Sequence, residues 1–142
     1  MKKVFLSVPM RGRHKDDIML SLEKMKQITK IACGDDVEFI NTIVKDVPPE
    51  GCHESVWYLG ESIKLLSQAD VLVSVDCPYW LRAKGCENET RIFQDYLVDY
   101  NKRQLQHIEL PIALVMDQDE FETLRRENEK SCACDDAPQK SR

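Results

Sequence analysis

The residues best placed to do chemistry lie in Gly85-Cys86-Glu87-Asn88-Glu89, followed by Thr90-Arg91-Ile92-Phe93-Gln94-Asp95-Tyr96. A helix starting just after Gly85 puts positions 89, 92, 93, 96 and 100 on one stripe at i, i+3, i+4 spacing, and they read Glu, Ile, Phe, Tyr, Tyr. Glu89 therefore turns inward among apolar neighbours, whereas Glu87 shares a polar face with Arg91, Gln94 and Asp95. A carboxylate in a first helical turn is favoured in its charged form by the helix dipole. Beside an apolar wall, such an ion suits a nucleophile or a stabiliser of developing positive charge. The same placement also suits an acidic residue that only caps its own turn.

Two further groups carry chemical interest. Ser7, Arg11 and Arg13, with Pro9, Met10 and Gly12 between them, form a compact cluster whose guanidinium forks suit a phosphate or carboxylate, and Gly12 would let backbone approach it. Two arginines in a surface loop are also compatible with simple solvation. Tyr79 and Trp80, beside Pro78, offer rings on which a flat base could stack; Trp57 and Tyr58 suit that role too, or a core or interface. Asp76 offers a second carboxylate or a turn former. The six cysteines, at 33, 52, 77, 86, 132 and 134, show no repeated CxxC spacing and read as free thiols. Cys132 and Cys134 alone cannot close a tetrahedral site, so no metal is expected.

The elements that must position these residues follow from a periodicity that switches between two and 3.6. Lys3–Val8 reads as a strand ended by Pro9, and Ile18, Leu22, Met25 and Ile28 mark an amphipathic helix closed by Gly34 and Asp35-Asp36. Val37–Thr42 reads as a second strand, Asp46–Ser55 as a loop, and Val56–Gln68 as a second helix. Val71–Val75, nearly continuous in apolar and β-branched residues, is the expected centre of the sheet. A helix over 85–103, a fourth strand at Pro111–Val115 and a charged helix at Asp117–Glu129 complete the domain, with 130–142 as a mobile polar tail. The alternation predicts an α/β fold: a mostly parallel sheet of four or five strands with helices on both sides. In such sheets ligands sit at the carboxyl ends of the strands, which gathers the loop from Pro9 to His14, the loop from Asp76 to Lys84, and Glu89.

With 142 residues and 42% apolar content, the chain has enough for one core, so a single domain over 1–129 is expected. A formal charge of −5 gives no general attraction to nucleic acid polymers or acidic lipid. Met1-Lys2-Lys3 leads into a strand without a signal-peptide pattern, and no apolar run reaches membrane-spanning length, so a cytoplasmic protein is expected.

Three separated stretches carry a family resemblance over about residues 1 to 100. They are Lys3-Val4-Phe5-Leu6-Ser7-Val8-Pro9-Met10-Arg11-Gly12, Trp57-Tyr58-Leu59-Gly60 leading to Ala69-Asp70-Val71, and Gly85-Cys86-x-x-Glu89. Together they resemble a branch of the nucleoside 2-deoxyribosyltransferase-like superfamily. The resemblance implies a flavodoxin-like three-layer sandwich and a homo-oligomer. It also implies that Glu89 attacks the anomeric carbon of a deoxyribosyl N-glycoside and displaces the base, with no metal or cofactor. A loop bearing Pro9, Met10, Arg11 and Arg13 would meet the 5′-phosphate of a nucleoside monophosphate. An aspartate that the family carries ahead of the central strand's Ala-Asp pair is replaced here by Ser62, which changes how the leaving base would receive its proton. A pocket so altered also suits a non-catalytic module that binds a nucleotide or ribosylated nucleotide signal.

Overall fold

Residues 1–97 and 105–134 are described by a computed structural model. The elements are β1 (Lys2–Leu6), α1 (Lys15–Cys33), β2 (Val37–Phe39), α2 (Glu54–Leu66), β3 (Val71–Asp76), α3 (Lys84–Leu97), β4 (Gln106–Pro111) and α4 (Gln118–Cys134). Short 3₁₀ turns at Tyr79–Leu81 and Ile112–Leu114 follow β3 and β4. The strands form one sheet in the order β2-β1-β3-β4, and every neighbouring pair is parallel.

Alternation along the two central strands explains the layers. Val4 and Leu6 of β1 join Val71 and Val73 of β3 and Met25 of α1 in one core cluster. Phe5 and Leu72, between them in sequence, point the other way and pack with Leu66 of α2 and Phe93 of α3. Each strand thus buries both faces at its centre, which is why Val4–Leu6 and Val71–Val73 are unbroken apolar runs. The result is a flavodoxin-like three-layer α/β sandwich.

Several boundaries differ from the sequence expectation. The fourth strand is Gln106–Pro111 rather than Pro111–Val115. It is amphipathic: Ile108 and Leu110 pack into the α1-side core, while His107 bonds to Gln94 of α3 and Glu109 lines a cleft beside that helix. Pro111 has no N–H to extend the ladder, and the apolar run after it becomes the 3₁₀ turn plus buried Val115 and Met116. β2 stops at Phe39, three residues short of the expected end. Residues 130–134, expected in the tail, continue α4, and 135–142 lie outside the described residues. Tyr96 is 53% exposed rather than inward, and Tyr100 falls among the residues not described.

The largest correction concerns Arg13, expected to bind an anion. All three nitrogens of its guanidinium already donate to acceptors within the protein. Nε and Nη2 donate to the Glu120 carboxylate at 2.6 and 3.0 Å, Nη1 to the Pro9 carbonyl at 2.8 Å, and Nη2 also to Ser21 Oγ at 2.6 Å and the Asp17 carbonyl at 3.3 Å. Its side chain is 0% exposed. Ser21 passes the connection on by donating to the Val115 carbonyl at 2.7 Å. Arg13 is a structural tie that fastens the loop after β1 and the start of α1 to α4. Breaking a withdrawn ion pair by removing one partner leaves the other charge unpaired, which costs about 3–5 kcal/mol. Arg13→Ala should therefore lower the unfolding free energy, read from the denaturant midpoint and slope, by an amount in that range. Arg13→Lys should recover only part of the loss, since an ammonium cannot reproduce a planar fork. An unchanged midpoint in Arg13→Ala would refute the tie.

Candidate functional site

The sheet order fixes where a site can form. From β1 the chain moves outward to β2, then crosses back to build β3 and β4 on the other side. The connections leaving β1 and β3 diverge, opening a crevice beyond their carboxyl ends. Ser7 is the first residue past β1, and its N–H donates to the Val73 carbonyl of β3 at 2.8 Å. Glu89 stands on α3, the helix that follows β3.

Both side chains are withdrawn from water, Ser7 to 2% and Glu89 to 8% exposure. Ser7 Oγ donates to Glu89 Oε1 at 2.8 Å. A cleft of about 360 Å³ opens on this pair. Met10 from the loop after β1, Tyr58 and Ser62 from α2, and Gly85 and Cys86 from α3 line it, along with Thr42 and Ser55. Cys86 Sγ donates to the Val8 carbonyl at 3.3 Å, pinning the start of α3 to that loop. Burial pushes the Cys86 thiol up to about 12, against a lowering by the Ser7 hydrogen bond, so it stays protonated and serves as a donor.

The electrostatics of Glu89 depart from the sequence expectation. α3 begins at Lys84, with its first bond from Glu87 N–H to the Ala83 carbonyl at 3.1 Å, so Glu87 occupies the first turn and Glu89 the second. The helix end is too far back to govern its charge. Burial governs it and raises the carboxyl above the ordinary 4.5, with the Ser7 hydrogen bond pulling the other way. The distinction between the two glutamates holds: Glu89 is buried in the cleft and Glu87 is exposed outside it.

The remaining expected site residues separate. Ser7, Met10, Ser62 and Gly85 join Glu89 in one cleft. Pro9 and Asp76 line a different one, next to Glu87. Asp76 does not line the Glu89 cleft. Gly12 adopts φ +72° in the turn that Arg13 N–H closes onto the Met10 carbonyl at 3.1 Å, so glycine is required by the turn rather than by a ligand. Arg11 is exposed and has no hydrogen bond or ion pair among the described residues. Tyr79 is 71% exposed on its 3₁₀ turn, and Trp80 packs on Phe121 of α4 with ring centroids 5.4 Å apart. Neither ring lines the Glu89 cleft, because that turn docks against α4 instead. Tyr58, whose partner Trp57 meets it edge-on at 5.1 Å, is the ring in the cleft. Thr42, between β2 and α2, and Ser55, in the first turn of α2, escaped sequence reasoning, since single hydroxyls give no periodic signal.

Among the described residues no three His, Cys, Asp or Glu side chains cluster so as to hold a metal ion, and no helix is long and apolar enough to cross a membrane.

The raised carboxyl links Glu89 to stability. Between the unfolded value and the raised folded one, the folded state binds more proton than the unfolded chain, so stability falls as pH rises. The contribution is full below the unfolded value and lost above the folded one. Glu89→Gln, which cannot ionise but can still accept from Ser7, should melt at a higher temperature than the parent at neutral pH and lose that part of the pH dependence. Ser7→Ala should move the Glu89 carboxyl further up. A Glu89→Gln variant with the parental pH profile of melting temperatures would contradict this. Comparison of the chain with protein-family models, with curated proteins and with solved structures finds no match.

Proposed function

We propose that the Glu89 cleft cleaves or transfers the N-glycosidic bond of a (deoxy)nucleoside or nucleoside 5′-monophosphate, with Glu89 as nucleophile. The observation that carries this reading is the buried carboxylate held by Ser7 at 2.8 Å, where the connections from β1 and β3 part. The family resemblance of the stretches around Ser7, Trp57-Tyr58 and Gly85–Glu89 supplies the reaction class. A cleft of about 360 Å³ suits a small ligand.

Each step can be written out. A Glu89 carboxylate oxygen bonds to the anomeric carbon as the C–N bond breaks, and its electron pair leaves with the base, which takes up a proton. Water or a second base then attacks the same carbon and frees Glu89. Burial strengthens the attraction between the carboxylate and the positive charge that develops on the sugar. Glu89 is the one carboxylate among the residues lining the cleft, and its polar companions there are hydroxyls and a thiol. A hydroxyl protonates a departing base poorly, so bases that leave easily should be preferred. The same single carboxylate favours the second reading, a module that holds a nucleotide or ribosylated signal without turnover.

Among the described residues no lysine or arginine lines the cleft, and Arg13 is committed elsewhere. Exposed Arg11, next to Met10 at the cleft, is the arginine of that loop left to meet a 5′-phosphate. By the same resemblance the working unit is a homo-oligomer, which light scattering would check.

The deciding experiment is incubation with a panel of deoxynucleosides and their 5′-monophosphates, with and without an acceptor base, followed by detection of free base. Base release should disappear in Glu89→Gln while ligand affinity persists, and its acid limb should fall above the ordinary glutamate value. A 2-fluoro-2-deoxyribosyl nucleoside should leave one added sugar on Glu89 by intact mass and peptide mapping, because fluorine slows both steps. Arg11→Ala should weaken a monophosphate by about ten-fold relative to its nucleoside, the worth of one charge-assisted contact. Release that survives Glu89→Gln would overturn the nucleophile, and no release from any substrate would leave the binding module.

A further inference from the structure

A second cleft of about 330 Å³ opens against a different face of α3 and shares only Ser7, Ala83 and Cys86 with the Glu89 cleft. Five charged side chains line it: Arg82 and Arg91, with Asp76, Glu87 and Glu109. None of them is ion-paired with another among the described residues. Glu87 and Arg91 even stand at the i, i+4 spacing that favours pairing, and they remain apart. Asp76 ends β3, Glu109 stands on the adjacent strand β4 in register with Ser74, two residues before Asp76, and Arg82 follows the 3₁₀ turn. Arg82 spends Nε on the Cys77 carbonyl at 3.2 Å, leaving both terminal nitrogens for another acceptor.

The cleft also has a polar side chain set deep in its wall. Gln94 Nε2 lies 2.9 Å from His107 Nδ1, and an amide nitrogen can only donate, so Nδ1 accepts and the ring carries its proton on Nε2. Nε2 then donates to Ser74 Oγ at 2.7 Å. Ser74, 4% exposed and lining the cleft, is thereby left with its own O–H to give. Burial lowers the His107 pKa, with Glu109 pulling the other way, which favours the neutral ring this chain requires.

We propose that this cleft is a second binding site, for a small zwitterion of the amino-acid class. Its ammonium sits between Asp76 and Glu109, and its carboxylate meets Arg82 and Arg91 and accepts a hydrogen bond from the Ser74 hydroxyl. A simple anion would face three carboxylates, and a simple cation would face two guanidinium groups. Only a ligand carrying both charges gains from each set while opposing neither. The site goes beyond the N-glycoside reading and does not depend on it, since its residues, apart from the shared wall, are not those of the Glu89 cleft.

The test is a titration of the ¹⁵N-labelled chain with glycine and 4-aminobutyrate as zwitterions, and with butyrate and butylamine as single-charge controls. Saturable shifts are expected at the amides of Ser74, Asp76, Thr90, Arg91 and Gln94. At least one zwitterion should bind ten-fold or more tightly than either control. Arg91→Gln and Glu109→Gln alter exposed side chains, so both should fold as the parent does by circular dichroism, and each should weaken the zwitterion about ten-fold. Equal binding of butyrate or butylamine, an absence of saturable shifts with every probe, or parental affinity in both variants would overturn the proposal.

Discussion

A carboxylate taken out of water must find a hydrogen-bond donor or stay protonated, and the Ser7 hydroxyl at 2.8 Å from Glu89 meets that need here. The two residues are 82 positions apart, and only the sheet brings them together. β1 and β3 are adjacent and parallel, so the residue leaving the first and the helix following the second emerge at the same edge. The Ser7 backbone adds a bond to Val73, which fixes the angle at which its hydroxyl leaves the strand. Had the pair been antiparallel, Ser7 and α3 would have emerged at opposite edges of the sheet.

The loop after β1 divides its work between its two ends. Its start supplies Ser7, the Val8 carbonyl that receives the Cys86 thiol, and Met10 at the cleft wall. Its far end is clamped by Arg13 onto Glu120 and Ser21. The clamp lies outside the cleft but restricts the segment that carries Ser7, and a positioned donor loses less on binding or reaction than one that must first be ordered.

How much of this was legible in the sequence depended on how far apart the interacting residues were. The inward aim of Glu89 against the outward aim of Glu87 is a matter of helical phase, so local spacing revealed it. The buried strands of the sheet centre, Val71–Val75 above all, announced themselves by composition. Arg13 did not, because its partner Glu120 lies 107 positions away and a paired guanidinium looks like a free one in sequence. β4 was misplaced for a related reason. His107 and Glu109 alternate with Ile108 and Leu110, and a half-polar edge strand is a weaker signal than the apolar run after Pro111. The helix start one residue before Gly85 was the smallest error and the most consequential, since it moved Glu89 from the dipole's reach into the control of burial.

The all-parallel sheet also governs how this chain must fold. No strand can pair with its neighbour through a tight hairpin, so each ladder waits for an intervening segment to be traversed. The bond from the Lys3 amide to the Asp70 carboxylate spans 67 positions. Closing so long a loop costs entropy before any ladder bond repays it. Of the four strands β1 is made first, and its edge toward β3 stays open until that strand has been made. During that interval Val4, Phe5 and Leu6, buried in the finished fold, are an apolar segment with open backbone groups, open to misassociation during synthesis.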